Sequence, residues 1–278
     1  MKVGVFRFDS RDEGRTLRGM WIDAHSHLAD PRWGQEADQV LAEAVKSGIG
    51  FFLQGGIGPE DWEAQEKLRA RHPGRIGLCF GLHPYFVAAH DEEVLEIALD
   101  ALAVKLPRAM ALGETGLDFR PHIMKDSRDK QITFFQQQLE LATAVELPVV
   151  LHLVQAHEEA LQIMDLWGLP KAGGLVHSFN GSWHKAQDFL SRSLFLSVGG
   201  PVARPDNGKL HQAVRQMPLE FLLIETDSPD QPPPAFQGGK NPPSALWHVA
   251  RAIADLRGVT PGEILDITAS NFRRLFQL

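Results

Sequence analysis

Cysteine is almost missing from this chain of 278 residues, where Cys79 stands alone. An intrachain disulfide and a cysteine-based zinc site are excluded, and the expected compartment is the reducing cytoplasm. Positive charge is also short. The 28 Lys+Arg fall below the 35 Asp+Glu and leave a formal charge of −7 with His neutral. That argues against a broad basic face for nucleic acid, but not against a nuclease that grips phosphates through metal ions. No apolar run reaches the roughly 18 residues needed to cross a bilayer. Residues 1–19, MKVGVFRFDSRDEGRTLRG, lack the apolar block of a signal peptide. They read as a flexible leader or a translated upstream segment, with Met20 as a candidate start. Gly55, Gly56 and Gly58 make no GxGxxG turn, and no GxxxxGK[ST] occurs, so the usual nucleotide-binding turns are absent.

Hydrophobic residues make up 44% and charged residues 23% of the chain, enough for one large core and too apolar for a disordered chain. Length alone admits two domains or one α/β barrel of about 250 residues. From Met20 onward a short apolar segment, a polar break and a longer segment of helical period recur. The strand candidates are Trp21–His25, Gly50–Gln54, Ile76–Gly81, Ala109–Glu114, Val149–His152, Leu175–His177, Leu194–Val198 and Leu222–Glu225. Helices are expected at Glu36–Ser47, Asp61–Arg71, Asp91–Lys105, Asp129–Val145, Ala156–Trp167, Ser182–Ser191, Lys209–Gln216 and Ser244–Arg257, with a terminal helix around Pro261–Leu278. Short apolar runs of this kind read as strands buried on both faces of a parallel sheet. Eight strands, each followed by a helix, predict one (β/α)8 TIM barrel over residues 20–278, with an open doubly wound sheet as the alternative. The Pro- and Gly-rich stretch Pro229–Pro243 follows the eighth strand, where a barrel places an active-site loop.

Polar residues fall at the strand ends. Strand one ends Asp23-Ala-His25-Ser-His27, strand three leads into His83-Pro84, and strand four ends Glu114-Thr-Gly-Leu-Asp118. Strand five ends in His152, strand six in His177, and strand eight in Glu225-Thr-Asp227. In a parallel barrel these ends share one face, the face that carries active sites. Side chains two apart on a strand point the same way, so His25 and His27 can hold one ion. A lone His at a strand end is usually a hydrogen-bonded packing residue. Five histidines with Glu114 and Asp227 at one focus are a different matter, because such donors are costly to bury without a cation. His72, His90, His122, His157, His184, His211 and His248 fall in helices or loops and read as surface residues.

The chain resembles a known family at this point. His-x-His at the first strand, GLHP around His83, GETGLDF at Gly113–Phe119, LPVVLH ending at His152, VHSFNGS at His177 and LLIETDSP at Asp227 look like the TatD-type metal-dependent hydrolases. These are amidohydrolase-like barrels. The terminal AIADLRGVTPGEILDITASNFRRLF is similar as well. The resemblance implies two divalent cations, of Mg, Mn, Zn, Ni or Co. His25, His27 and Asp227 would hold one and His152 and His177 the other, with Glu114 bridging. It implies hydrolysis by metal-activated water, with Asp227 taking or orienting the proton. His83 is no ligand in the family pattern. Its expected role is a hydrogen bond to a substrate phosphate or to the leaving group. The implied activity is a deoxyribonuclease working from a DNA end. No membrane or obligatory protein partner is expected, and the chain is expected to be a monomer.

One departure bears on substrate. Family members commonly carry a basic residue two positions after the strand-five His, and here that position is Val154. Arg120, Arg204 and Lys209 are candidate substitutes for a phosphate contact. A metal hydrolase acting on an amide, lactone or other ester stays open as the alternative, because barrels of this class change chemistry by loop variation. A non-catalytic metal-binding scaffold would need missing ligands, and none of the six is missing.

Overall fold

A computed structural model describes residues 19–278. The expected leader lies, but for Gly19, outside the described residues, as does Val3–Phe8, a candidate short strand. In chain order the elements are β1 (Trp21–Ser26), α1 (Ala37–Lys46), β2 (Ile49–Gln54), α2 (Pro59–Arg71), β3 (Ile76–Gly77), β4 (Cys79–Phe80), α3 (Pro84–Ala89), α4 (Glu92–Lys105), β5 (Ala111–Asp118), α5 (Pro121–Met124) and α6 (Arg128–Ala144). Then come β6 (Val149–Val154), α7 (His157–Trp167), β7 (Gly174–Val176), α8 (Trp183–Leu190), β8 (Phe195–Val198), α9 (Gly208–Gln216), β9 (Leu222–Ile224), α10 (Leu246–Arg257) and α11 (Pro261–Phe276). The strand–helix alternation read from the sequence is observed.

Two compact units divide the described chain. One comprises residues 55–174. In it β4, β5 and β6 run parallel, with Cys79 beside Ala111 and Gly116 beside His152. All eight residues of β5 are buried. Trp62 of α2 is sealed against Phe80, ring centroids 5.9 Å apart, and its indole N–H donates to the Gly81 carbonyl at 3.1 Å. Full burial of such a side chain contributes about 2–3 kcal/mol, and the bonded N–H keeps that gain from being cancelled.

The other unit comprises residues 19–54 and 175–278. Here β1 pairs parallel with β2, and β7, β8 and β9 form a parallel run. The end of β1 is laced to the segment after β9: Asp227 N donates to His25 O at 3.0 Å, and His27 N to Ser228 O at 2.7 Å. Helix α11 starts at a capping box between Thr260 and Glu263 and buries Ile264, Leu265 and Phe272, Phe272 meeting Phe51 at 5.9 Å.

Three expectations change. The third strand, expected over Ile76–Gly81, is two short pieces separated at Leu78. The fourth runs to Asp118 rather than stopping at Glu114, because Gly116 at φ 138° carries the strand past a register shift near Glu114. Helix α5, a four-residue turn opened by Pro121, and helix α3 are absent from the sequence expectation, α3 being the one that bears on the site. Helix α3 is a short, largely apolar PYFVAA segment, opened by Pro84 at its first position and capped by His83, and too brief to show a helical period.

Candidate metal centre

In the second unit three donor atoms converge. His25 Nε2 and His27 Nε2 lie 3.2 Å apart, and Asp227 Oδ1 is 3.6 Å from the first and 3.4 Å from the second. Ligands about 2.0–2.1 Å from a tetrahedral cation stand about 3.3–3.4 Å from one another, so these edges are those of one coordination shell. A single proton between the rings satisfies one of the contacts, whereas a cation satisfies all three. Asp227 sits in the left-handed region at φ 57°, which Asp adopts more readily than most residues. Its other oxygen, Oδ2, accepts from Gln231 Nε2 at 2.6 Å, and Gln231 also donates to Ser178 Oγ at 2.5 Å. Burial would raise the Asp227 carboxyl. The hydrogen bond with His27 and the nearby His177, His25 and His27 rings outweigh it and hold the group at about 2, so Asp227 is an anion at neutral pH.

His177 follows β7, and its ring lies 4.2 Å from that of His25. Glu225 stands behind it, 3.6 Å from His177 Nδ1, and accepts from Ser178 N at 2.6 Å. Asp23 accepts from Thr226 N at 2.9 Å and Thr226 Oγ1 at 2.5 Å, which ties β1 to the segment carrying Asp227. Burial raises the Asp23 carboxyl to about 8 against those hydrogen bonds.

In the first unit a similar focus forms. His152 Nδ1 lies 3.3 Å from Glu114 Oε2. His83 Nε2 lies 3.2 Å from His152 Nδ1 and 3.6 Å from the same Glu114 oxygen. The hydrogen-bond network assigns the tautomers. His83 Nδ1 accepts from Tyr85 N at 3.0 Å, so in the neutral ring its proton is on Nε2, making that nitrogen a donor and not a ligand. His152 is the reverse. Its Nε2 faces Asp118 Oδ2 at 3.2 Å, which places the proton there and leaves the Nδ1 lone pair beside Glu114. A ligating His whose other nitrogen is held by a carboxylate is a recurrent metal-site device.

Buried glutamines set these strand ends. Gln131 accepts from Asp118 N at 2.7 Å and donates to Asp118 O at 3.2 Å. Gln138 does the same for Leu82, next to His83, at 2.7 and 3.1 Å. Both lie on one face of α6, seven residues apart, and imitate a strand edge for backbone groups that are otherwise unpaired.

The sequence missed Asp118, Glu225 and Gln231. Asp118 and Glu225 lay inside quoted motifs without a role. Gln231 had no signal, because the Pro229–Pro243 loop carries no periodicity. Of the candidate phosphate contacts, Arg204 and Lys209 are exposed, while Arg120 is forked onto Asp118, Nε to Oδ1 at 2.9 Å and Nη2 to Oδ2 at 2.6 Å. None of the seven other histidines is buried. Asp118→Asn should weaken metal affinity at Glu114 and His152 by roughly 10–100-fold, the usual effect of losing such a partner. Titration of metal-stripped protein measures it, and an unchanged affinity would remove Asp118 from that role.

Buried imidazole–carboxylate clusters at the ends of parallel strands define a metal-dependent hydrolase on an α/β fold. The family described as TatD related DNase matches residues 22–277, and the chain belongs to that TatD family. It is 32% identical, over 93% of its length, to all of the uncharacterized metal-dependent hydrolase YabD of Bacillus subtilis (strain 168). It is 30% identical, over 92% of its length and 99% of the relative's, to the 3'-5' ssDNA/RNA exonuclease TatD of Erwinia billingiae (strain Eb661). The crystal structure of YjjV, a TatD homolog from Escherichia coli K12, superposes with a TM-score of 0.84 at 29% identity, covering 93% of this chain and 98% of that one. The fold is the amidohydrolase-like TIM barrel expected from the sequence. No described helix is long and apolar enough to cross a membrane.

Proposed function

We propose that this TatD-family hydrolase is a two-metal phosphodiesterase that shortens single-stranded DNA from an end. The observation that carries the reading is the His25–His27–Asp227 focus, three donors spaced as one coordination shell. The Erwinia relative's named activity supports the substrate class. One cation is assigned to His25, His27 and Asp227. By the family resemblance, His152, His177 and Glu114 would serve a second.

A bound cation supplies hydroxide at neutral pH, by lowering the pKa of its water to roughly 7, and polarises the phosphoryl oxygen. The chain's own residues do the rest. Asp227, ionised and anchored through Oδ2 by Gln231, accepts or orients the water proton through Oδ1. His83 offers its Nε2–H to a phosphoryl or leaving oxygen, a donor held in place by the Tyr85 backbone. Asp118 keeps His152 in the ligating tautomer.

End-labelled single-stranded DNA, incubated with the Mn-loaded protein, should shorten progressively. Hydrolysis of a lactone or neutral ester with intact DNA would overturn the reading in favour of the other hydrolase. Val154 ends β6 half-buried, on the same strand face as His152 and beside Asp118. Val154→Arg should therefore fold and raise kcat/KM on DNA by about tenfold, through a fixed cation at the developing phosphoryl charge. A folded variant with no gain on DNA would show that the position does not serve phosphate.

A further inference from the structure

We infer that Tyr85, tethered by Arg120, is the platform on which a base of a single-stranded nucleic acid stacks next to the reacting phosphate; the inference rests on the phosphodiesterase reading above. Tyr85 is the chain's only tyrosine, and it is 40% exposed. Its ring centroid lies 4.4 Å from that of His83 and 5.9 Å from that of His152, both in edge-to-face contacts. The ring thus borders the Glu114–His152 focus while part of it stays open to solvent.

Two anchors hold that ring. Its backbone N–H donates to His83 Nδ1, and its hydroxyl accepts from Arg120 Nη2. The guanidinium lies 5.4 Å from the ring centroid and is itself locked by the buried Asp118, the carboxylate that also orients His152. One carboxylate therefore fixes both a metal-ligating imidazole and, through Arg120, an exposed aromatic beside it. Packing against His83 and His152 uses only part of the ring and leaves the residue 40% exposed. An exposed ring with its hydroxyl already bonded is preorganised to receive a flat partner with little further loss of freedom. Nucleobases are such partners, and stacking on them tolerates any sequence because every base has a π-face.

The test compares equilibrium binding of a fluorescent single-stranded oligonucleotide with that of an oligomer of the same length built from abasic nucleotides. Binding is read by anisotropy in EDTA, and hydrolysis separately with Mn. Wild type should prefer the base-bearing strand, and Tyr85→Ala should lower that preference by roughly 5- to 150-fold, the range for loss of one stacked base. Tyr85→Phe, which keeps the π-face and loses the tether, should fall between wild type and Tyr85→Ala. Circular dichroism checks that each variant folds. An equal preference in wild type and Tyr85→Ala overturns the platform, even if DNA is cleaved. A Tyr85-dependent preference without hydrolysis upholds the platform and sinks the phosphodiesterase reading.

Discussion

Asp227→Asn should lower turnover of the proposed phosphodiester substrate by about 10²–10⁴-fold, the usual contribution of a positioned proton acceptor. The backbone tolerates the change, because Asn, like Asp, accepts the left-handed conformation that residue 227 adopts at φ 57°. Two effects follow from the contacts of the carboxylate. The amide cannot take a proton from water, and it has one oxygen where Asp227 has two. Gln231 Nε2 donates to one of them at 2.6 Å, while the other faces His25 and His27. The single oxygen will serve Gln231, turning the NH₂ toward the two imidazoles. Metal content should therefore fall at that focus while the Glu114–His152 focus keeps its donors. Adding Gln231→Leu frees the oxygen to turn inward. The double variant should regain metal and stay inactive, which separates ligation from proton transfer. Activity that recovers with the metal would remove Asp227 from the proton-transfer role and leave it a ligand only.

Sequence and structure agree best where one physical rule acts alone. The strand cores were legible because burial on both faces leaves an uninterrupted apolar run, as in Val149–Leu151. The candidate donors stood out by number, since five histidines with Glu114 and Asp227 recur at strand ends where one alone would read as a packing residue. Long-range partners were not legible. Asp118 reads in the sequence as one more strand-end acid, and only the pairing of Gly116 with His152 and Asp118 with Val154 brings its carboxylate to the imidazole. Helix α6 hides its function in another way. Its buried face carries Gln131 and Gln138 among Phe134, Phe135 and Leu139, so hydrophobic periodicity understates how deeply it is buried. Those glutamines bond backbone groups far along the chain, and nothing local marks which ones. The tautomer that makes His83 a donor also depends on a helix, α3, too short to foresee.

Gly116→Ala should be a severely damaging single-methyl change near the site, because it combines a collision with a strained backbone. Gly116 stands at φ 138°, a conformation L side chains rarely adopt, and it pairs in register with His152. A Cβ there would lie 2.2 Å from the His152 carbonyl oxygen and 3.1 Å from its carbonyl carbon. Both are backbone atoms of a buried strand, so no side chain can swing aside. Either β5 moves, taking Asp118 with it, or β6 moves and shifts His152. The combined cost of strained φ and overpacking is about 3 kcal/mol or more, which at roughly 2–4 °C per kcal/mol lowers Tm by about 10 °C. Gly74→Ala is the milder reference: Gly74 has φ 70°, close to the left-handed region that L residues enter at a cost of about 1–2 kcal/mol, and an added Cβ meets nothing within 4 Å, so it lacks both the collision and the more extreme φ of Gly116. Calorimetry in EDTA keeps metal linkage out of both measurements. Metal titration of the folded Gly116→Ala protein should then show weaker binding at the Glu114–His152 focus, with His25, His27 and Asp227 little affected. Equal Tm values for the two variants would mean that β5 and β6 absorb the methyl without cost, and that the close approach at His152 does not hold the imidazole in place.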